Sequence, residues 1–287
     1  MRQISVAYWL WIISMYIVAD IGGTKMRLAA AREVDHFETP IFLGTPQSYD
    51  EALALFVETA KLIAGQDPIT AIAIGLPAVL TSDKRSISKS EHLPEWGGHA
   101  LTDDLERALG TKIYLENDTA LVGLGEATFG AGKGSSIVAY VTVSTGVNGI
   151  RIVDGAIDRA ALGFEIGGQY LSATEPLITL ENLISGSAIQ KRYGMHPRDI
   201  GKETPLWEEL ARVTAVGVHN TILHWSPDTV VLGGSMFNDI GIPVESVARH
   251  LSEIMKKFPQ IPEIFHSSLY DEGGLYGGLA RLATTKH

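Results

Sequence analysis

Tyr16-Ile-Val-Ala-Asp-Ile-Gly-Gly-Thr-Lys25 is the stretch on which the reading of this chain turns. An apolar run from Tyr16 to Ala19 ends at an acid, Asp20. Two glycines follow, and Lys25-Met-Arg-Leu-Ala-Ala30 resumes a strand-like alternation. The pattern predicts a buried strand, a hairpin at Gly22-Gly23 and a returning strand. Gly22 and Gly23 carry no side chains, so a phosphate can approach the backbone N–H groups of the turn. Thr24 adds a hydroxyl donor, and Asp20 is placed to hold a metal–water shell beside that phosphate. An ordinary Gly-Gly hairpin with Asp20 satisfying the turn fits the same residues, so the rest of the chain has to separate the two readings.

The chain has 287 residues, of which 45% are hydrophobic and 20% charged. That is enough for one large domain or two moderate lobes with a real core. A net charge of −10 leaves no excess of Lys and Arg to displace counterions, which argues against a nucleic-acid partner. The absence of cysteine excludes disulfides, thiolate metal sites and thiol nucleophiles. The run Val6 to Ala19 is nearly all apolar, with Arg2 in front, but is too short to span a bilayer. It resembles a signal-peptide core in length, yet its second half is needed as the first strand. Met15 directly precedes that strand, and residues 1–14 are read as an upstream extension. The expectation is a cytoplasmic protein without a membrane partner.

Further along, Phe37 to Leu43 reads as a third strand. Tyr49 to Ala64 has the apolar spacing of a helix. Ala71 to Gly75 is a short buried strand closed by Gly75-Leu-Pro77, and Thr81 to Ser90 reads as a polar loop. Leu101 to Leu109 is a helix, capped by Thr102 or its neighbour. A strand at Lys112 to Leu115 leads through Glu116-Asn117-Asp118 into a helix from about Thr119 to Phe129. After the link Gly130 to Gly134 the opening plan recurs: strand Ile137 to Val143, turn Ser144-Thr-Gly146, strand Gly149 to Val153. Helical patterns follow at Glu181 to Arg192 and Leu206 to Trp225. A strand at Thr229 to Leu232 ends in Gly233-Gly-Ser235, then a helix spans Val244 to Lys257. Glu263 to Phe265 reads as a strand and Gly274 to Ala283 as a closing helix. The fold class is therefore α/β with two mixed-sheet lobes around a cleft. The division falls between residues 1–116 and 117–287, with the last helix, about 274–284, packing back on the first lobe.

Three glycine-bearing turns thus stand at strand ends, where ligands of α/β proteins gather. The first two would grip phosphates from opposite lobes, and the third would pack against an adenosine. Asn117-Asp118 lies between a strand and a helix, so Asp118 falls at a helix N-terminus, where the dipole favours the ionised carboxylate. Such a carboxylate can accept a hydroxyl proton during phosphoryl transfer. Helix capping is the competing explanation for an Asn-Asp pair at this place.

These motifs, with Gly125-Glu126, Gly163-Phe-Glu-Ile-Gly167, Glu181 before Ser185-Gly-Ser-Ala-Ile189, and Val231-Leu-Gly-Gly-Ser235, occur in the order found in the ROK family of sugar kinases and repressors. The resemblance spans roughly Met15 to Arg281 and implies the actin-like ATPase (ribonuclease H-like) fold. It implies Asp118 as catalytic base, Asn117, Glu165 and Glu181 as sugar ligands, and Gly75-Leu-Pro77 as a loop lining the sugar pocket. Gly22, Gly23, Thr24, Lys25, Thr145, Gly146, Gly233 and Gly234 resemble the nucleotide contacts, with Asp20 in the outer shell of a magnesium ion.

Two departures stand out. Many members carry a histidine, shared by sugar and a structural zinc, where this chain has Gly168; the cysteine cluster that completes that zinc site is also missing. Zinc is not expected, and the sugar contact of that histidine is either missing or supplied otherwise, with Gln169 and His92 as the candidates. The resemblance implies an ATP-dependent kinase that uses Mg2+ and phosphorylates a hydroxyl of a hexose or N-acetylhexosamine. A non-catalytic sugar-binding or sugar-sensing relative is the alternative; the residues ahead of Met15 are too few for a DNA-binding domain, and a pure binder does not require Asp118. A homodimer is compatible with this reading.

Overall fold

The computed structural model describes residues 15–160 and 163–284, so the reading of residues 1–14 as an extension lies outside the described residues. In chain order the strands are β1 (Met15–Ile21), β2 (Lys25–Ala31), β3 (Ile41–Gly44), β4 (Ile69–Leu76), β5 (Val79–Leu80), β6 (Ile87–Lys89), β7 (Lys112–Asn117), β8 (Ile137–Val143), β9 (Val147–Val153), β10 (Ala156–Ile157), β11 (Thr229–Gly233) and β12 (Glu263–His266). The helices are α1 (Tyr49–Ala64), α2 (Leu101–Leu109), α3 (Asp118–Thr128), α4 (Leu180–Ile184), α5 (Gly186–Tyr193), α6 (Leu206–Trp225), α7 (Val244–Ile254) and α8 (Gly273–Ala283). Among the described residues no helix is long and apolar enough to cross a membrane.

Two five-stranded sheets have the orders β3-β2-β1-β4-β7 and β10-β9-β8-β11-β12. In each, three strands run as an antiparallel meander and two more add in parallel beside its first strand. The same five-strand plan is therefore built twice, as the recurring strand–turn–strand pattern predicts. Ile17, Ala19, Ile21, Met26 and Leu28 face α1 and α2 on one side of the first sheet, while Tyr16, Val18, Ala29 and Ala31 face Leu275, Leu279 and Leu282 of α8 on the other. This is the period-2 alternation of strands buried on both faces. The second sheet packs α4 to α7 on one face and Ala120, Leu124 and Ala127 of α3 on the other.

Helices α3 and α8 cross at very short range. A Cβ on Gly277 would lie 1.8 Å from the carbonyl oxygen of Leu121, and one on Gly125 2.7 Å from that of Gly273. Only residues without a side chain let two backbones approach so closely. The crossing sets Gly273 against Val122 and Gly125, in the middle of α3, and places Gly274 beside Asp20 at the end of β1.

Several local expectations change. The third strand begins at Ile41 rather than Phe37, because Pro40 has no N–H for the ladder; Phe37 instead packs edge-on to Tyr276, with ring centroids 4.9 Å apart. The segment Thr81 to Ser90 contains part of the β5–β6 hairpin rather than loop alone. The helix expected over Glu181 to Arg192 is two helices, since Ser185 is extended and its hydroxyl accepts from Ala188 N–H (3.1 Å) to cap the second. Helix α2 has no side-chain cap; Thr102 lies inside it and donates to the Lys84 carbonyl (3.2 Å).

Candidate active site

The first glycine turn joins β1 to β2, and its backbone is partly spent on its own geometry. Gly22 N–H donates to the Lys25 carbonyl (2.8 Å), so it is not a free phosphate donor as the sequence suggested. The Gly22 and Gly23 carbonyls accept from Thr45 Oγ1 (2.8 Å) and Gln47 Nε2 (2.9 Å). Thr45 and Gln47 thus pin the turn from behind. Among the described residues the N–H groups of Gly23 and Thr24 donate to no backbone carbonyl, and Thr24 and Lys25 are exposed. These two N–H groups, the Thr24 hydroxyl and the Lys25 ammonium form the anion-accepting part of the turn. His92 lies against it: a Cβ on Gly23 would meet His92 Cβ at 2.9 Å.

Asp20 sits at the carboxyl end of β1, opposite Arg27 across the antiparallel pair. Arg27 Nε (3.0 Å) and Nη2 (2.6 Å) both donate to Asp20 Oδ2. The same carboxylate faces the start of α8, where a Cβ on Gly274 would lie 2.8 Å from Asp20 Cγ.

Asn117 ends β7 and Asp118 opens α3. Asn117 Oδ1 accepts from Ala120 N–H (3.3 Å) and its amide donates to the Ala78 carbonyl (3.3 Å). Helix capping is therefore done by Asn117, which also ties down the loop after Gly75 and Pro77. Ser90 Oγ donates to the Pro77 carbonyl (2.7 Å) and holds the same loop from its far side. Asp118 is thereby released from the capping role. Its Oδ1 accepts from Thr119 N–H (2.7 Å), and among the described residues Oδ2 accepts nothing. Gly75 lies beside it, 3.5 Å separating a Cβ there from Asp118 Cα. Burial pushes the Asp118 carboxyl above the ordinary aspartate value, against the backbone bond from Thr119, and the nearby charge of Asp20 adds to the rise. The helix dipole alone would favour the ionised form; desolvation outweighs it.

The second and third turns come together on the other sheet. β8 and β11 are parallel neighbours in which Thr142 pairs with Gly233, so Ser144-Thr-Gly146 and Gly233-Gly-Ser235 leave the sheet side by side. Gly234 has φ +95, and a Cβ on it would stand 2.4 Å from the Val143 carbonyl oxygen. Gly186 N–H at the start of α5 donates to the Ser144 carbonyl (2.7 Å). Thr145 remains exposed. Glu181 supports this turn rather than standing free: its Oε2 accepts from Val147 N–H (2.8 Å) and lies 2.8 Å from the place of a Cβ on Gly146. Glu165 is near enough to Glu181 and Glu91 for both charges to act on it, and desolvation first, then those charges, raise its pKa. Gln169, a candidate to stand in for the family's histidine at Gly168, is committed elsewhere, donating to the Ile166 carbonyl (3.0 Å) and accepting from Asn220 (3.0 Å). A Cβ at Gly168 would meet nothing within 4 Å.

Asp20, His92 and Asp118 are thus one electrostatic neighbourhood, and Glu91, Glu165 and Glu181 another. Sequence reasoning passes over Arg27, Glu91, Thr45 and Gln47. Arg27 is within its reach, because a hairpin centred on Gly22-Gly23 puts residues 20 and 27 opposite each other.

A profile of the ROK family matches residues 16–286. The chain belongs to the ROK family. It is 26% identical to a glucokinase of Thermotoga maritima, over 61% of this chain and 58% of that protein. It is 23% identical to an N-acetyl-D-glucosamine kinase of Photobacterium profundum, over 92% of this chain and 97% of that one. A ROK family glucokinase from Streptomyces griseus, solved in complex with glucose and AMPPNP, superposes with a TM-score of 0.76 at 21% identity, covering 94% of this chain and 99% of that chain. At that identity the superposition speaks for the fold, which is the two-lobed actin-like ATPase fold.

Proposed function

We propose that this ROK protein is an ATP-dependent sugar kinase that transfers the γ-phosphoryl group to a hydroxyl of a hexose or N-acetylhexosamine. The observation that carries the proposal is Asp118: a recessed carboxylate with one oxygen fixed by Thr119 and the other open, beside Gly75 and in the neighbourhood of Asp20 and His92 at the first glycine turn. A base of raised pKa is better matched to taking a hydroxyl proton near neutral pH than an ordinary aspartate. Asn117 keeps its loop and helix in register, so the open oxygen of Asp118 is aimed by both β7 and α3.

The chain offers what a nucleotide triphosphate and a hard cation need. Gly23, Thr24 and Lys25 on one side and Thr145 and Gly146 on the other offer backbone and hydroxyl donors from two lobes; Gly233 is buried against Tyr140, so an approach by adenosine would fall to the partly exposed Gly234. Asp20 Oδ1 is a hard oxygen of the kind magnesium prefers through water. Magnesium, when bound, would neutralise charge on the phosphates. Glu165 and Glu91, and His92 at the first turn, are the groups placed to orient sugar hydroxyls, with Glu181 acting through the turn it braces. A cytoplasmic location belongs to the same reading, because ATP is the phosphoryl donor.

The test is ADP release from MgATP across a panel of hexoses and N-acetylhexosamines. At least one sugar should raise release well above the sugar-independent rate. Equal rates with every sugar and with none would defeat the proposal and favour a sugar-binding relative.

A further inference from the structure

The Asp20–Arg27 pair leaves one carboxylate oxygen free, in the one-oxygen form that Arg85 and Asp103 also take. An arginine and a carboxylate facing each other across a sheet can join fork to fork, with two parallel bonds to two oxygens. Here Nε (3.0 Å) and Nη2 (2.6 Å) converge on the single oxygen Oδ2. Among the described residues Oδ1 accepts no hydrogen bond. Both side chains are mostly covered, at 20% and 18% exposure for Arg27 and Asp20, so the geometry is held by packing. Asp20 and Arg27 lie on the sheet face that carries α8, past its last buried apolar positions, where the face opens beside Asp118. Two carboxylates, Asp20 and Asp118, therefore share one recess with Arg27 as the guanidinium held against Asp20.

We propose that Arg27 is a positioning residue of the transfer site: it occupies one oxygen of Asp20 and offsets its charge, so that Asp20 meets the hydrated magnesium through Oδ1 alone. This rests on the sugar-kinase reading of the same site. Without Arg27, Asp20 has two free oxygens and an uncompensated charge next to Asp118. It would then take a free divalent cation directly, and would hold the ion of the metal–nucleotide complex in the wrong place. Two effects of opposite sign follow from one substitution. Free-metal affinity rises while phosphoryl transfer falls, because an ångström of misplacement at a reacting centre costs on the order of 10²-fold in rate. A pair that only braces the β1–β2 hairpin predicts neither.

The experiment compares wild type with Arg27→Ala and Arg27→Lys. Manganese binding to the nucleotide-free proteins is followed by electron paramagnetic resonance, and kcat and sugar KM are measured with MgATP. For Arg27→Ala we expect manganese affinity to rise about tenfold or more, since an opposite charge beside a carboxylate is worth at least about 1.4 kcal/mol, or tenfold, in a partly covered site. We expect kcat to fall about 10²-fold with sugar KM unchanged. Lysine, which keeps the charge but not the two-pronged hold, should restore manganese affinity and recover only part of kcat. If Arg27→Ala does not fold, Arg27→Gln, which keeps the aliphatic stem and one amide donor group without the charge, is read by the same two measurements. Unchanged manganese affinity and unchanged kcat in a folded variant overturn the proposal. Failure of the kinase reading looks different: wild type would then show no sugar-dependent turnover.

Discussion

Replacing Asp118 by Asn removes a proton acceptor and a charge while leaving the size of the side chain unchanged. The amide oxygen can still accept from Thr119 N–H, a bond of 2.7 Å in the wild type, and the cap on α3 belongs to Asn117. The fold should therefore survive. If Asp118 is the base, transfer should fall by about 10² to 10⁴, roughly 3–5 kcal/mol of barrier. Stability should move the other way. Burial raises the folded-state pKa of Asp118 above its ordinary 3.8. Between those two values the native state holds a proton that the unfolded chain has released, so stability falls as pH rises through that window. Above the window the ionised carboxylate is a constant cost, and Asp118→Asn relieves it. Thermal midpoints should accordingly be higher for the variant at pH 7, with the gain shrinking as pH falls toward 3.8. Steady-state turnover with the best sugar, nucleotide calorimetry and melting curves at several pH values make the assay. A variant with lower midpoint at pH 7 and activity lost in proportion to folded protein would return Asp118 to a structural role. A well-folded variant with undiminished turnover would remove it from the mechanism.

Four further outcomes are expected. The same raised pKa predicts that kcat/KM for the sugar declines on the acid side with an apparent pKa above 3.8; a pH profile that stays flat down to that value would contradict it. Glu181→Ala removes the acceptor of Val147 N–H, 2.8 Å away, and should weaken nucleotide binding by about tenfold through the loosened Gly146 turn, as read by calorimetry, because a bond to a charged group is worth about 1.5–3 kcal/mol. Gly277→Ala places a methyl 1.8 Å from the Leu121 carbonyl oxygen and should cost about 1–3 kcal/mol or more in urea unfolding by forcing α3 and α8 apart. With no cysteine in the chain and Gly168 in place of the family's histidine, metal analysis should find no stoichiometric zinc, and a zinc-selective chelator should leave the melting midpoint unchanged.

Most of the architecture is legible in the sequence because it is carried by local pattern. An apolar run from Tyr16 to Ala19 ending at Asp20, two glycines and the apolar return from Met26 to Ala31 read as a hairpin of buried strands, and the recurrence at Ile137 to Val153 announces the second sheet. What escapes the sequence is decided at longer range. Whether Gly22 N–H is free depends on where the Lys25 carbonyl points, and the pinning of that turn comes from Thr45 and Gln47, beyond another strand. Glu181 has the residue type and the place of a sugar ligand; only the packing of α4 against β9 shows its carboxylate bound to the Gly146 turn. The dipole argument for Asp118 considers one helix, whereas its pKa is set by the burial created when α3 packs beside β4 and α8. Gln169 looks available in the sequence, but the fold places Asn220 of α6 against it.

Whether the cleft moves a phosphoryl group onto a sugar hydroxyl is tested most directly by incubating the protein with MgATP and each sugar of the panel, then detecting products by phosphorus NMR. The expected result is a sugar phosphomonoester formed in equal amount to ADP, and its loss with Asp118→Asn. ADP accompanied only by inorganic phosphate, or no consumption of ATP with any sugar, would contradict it.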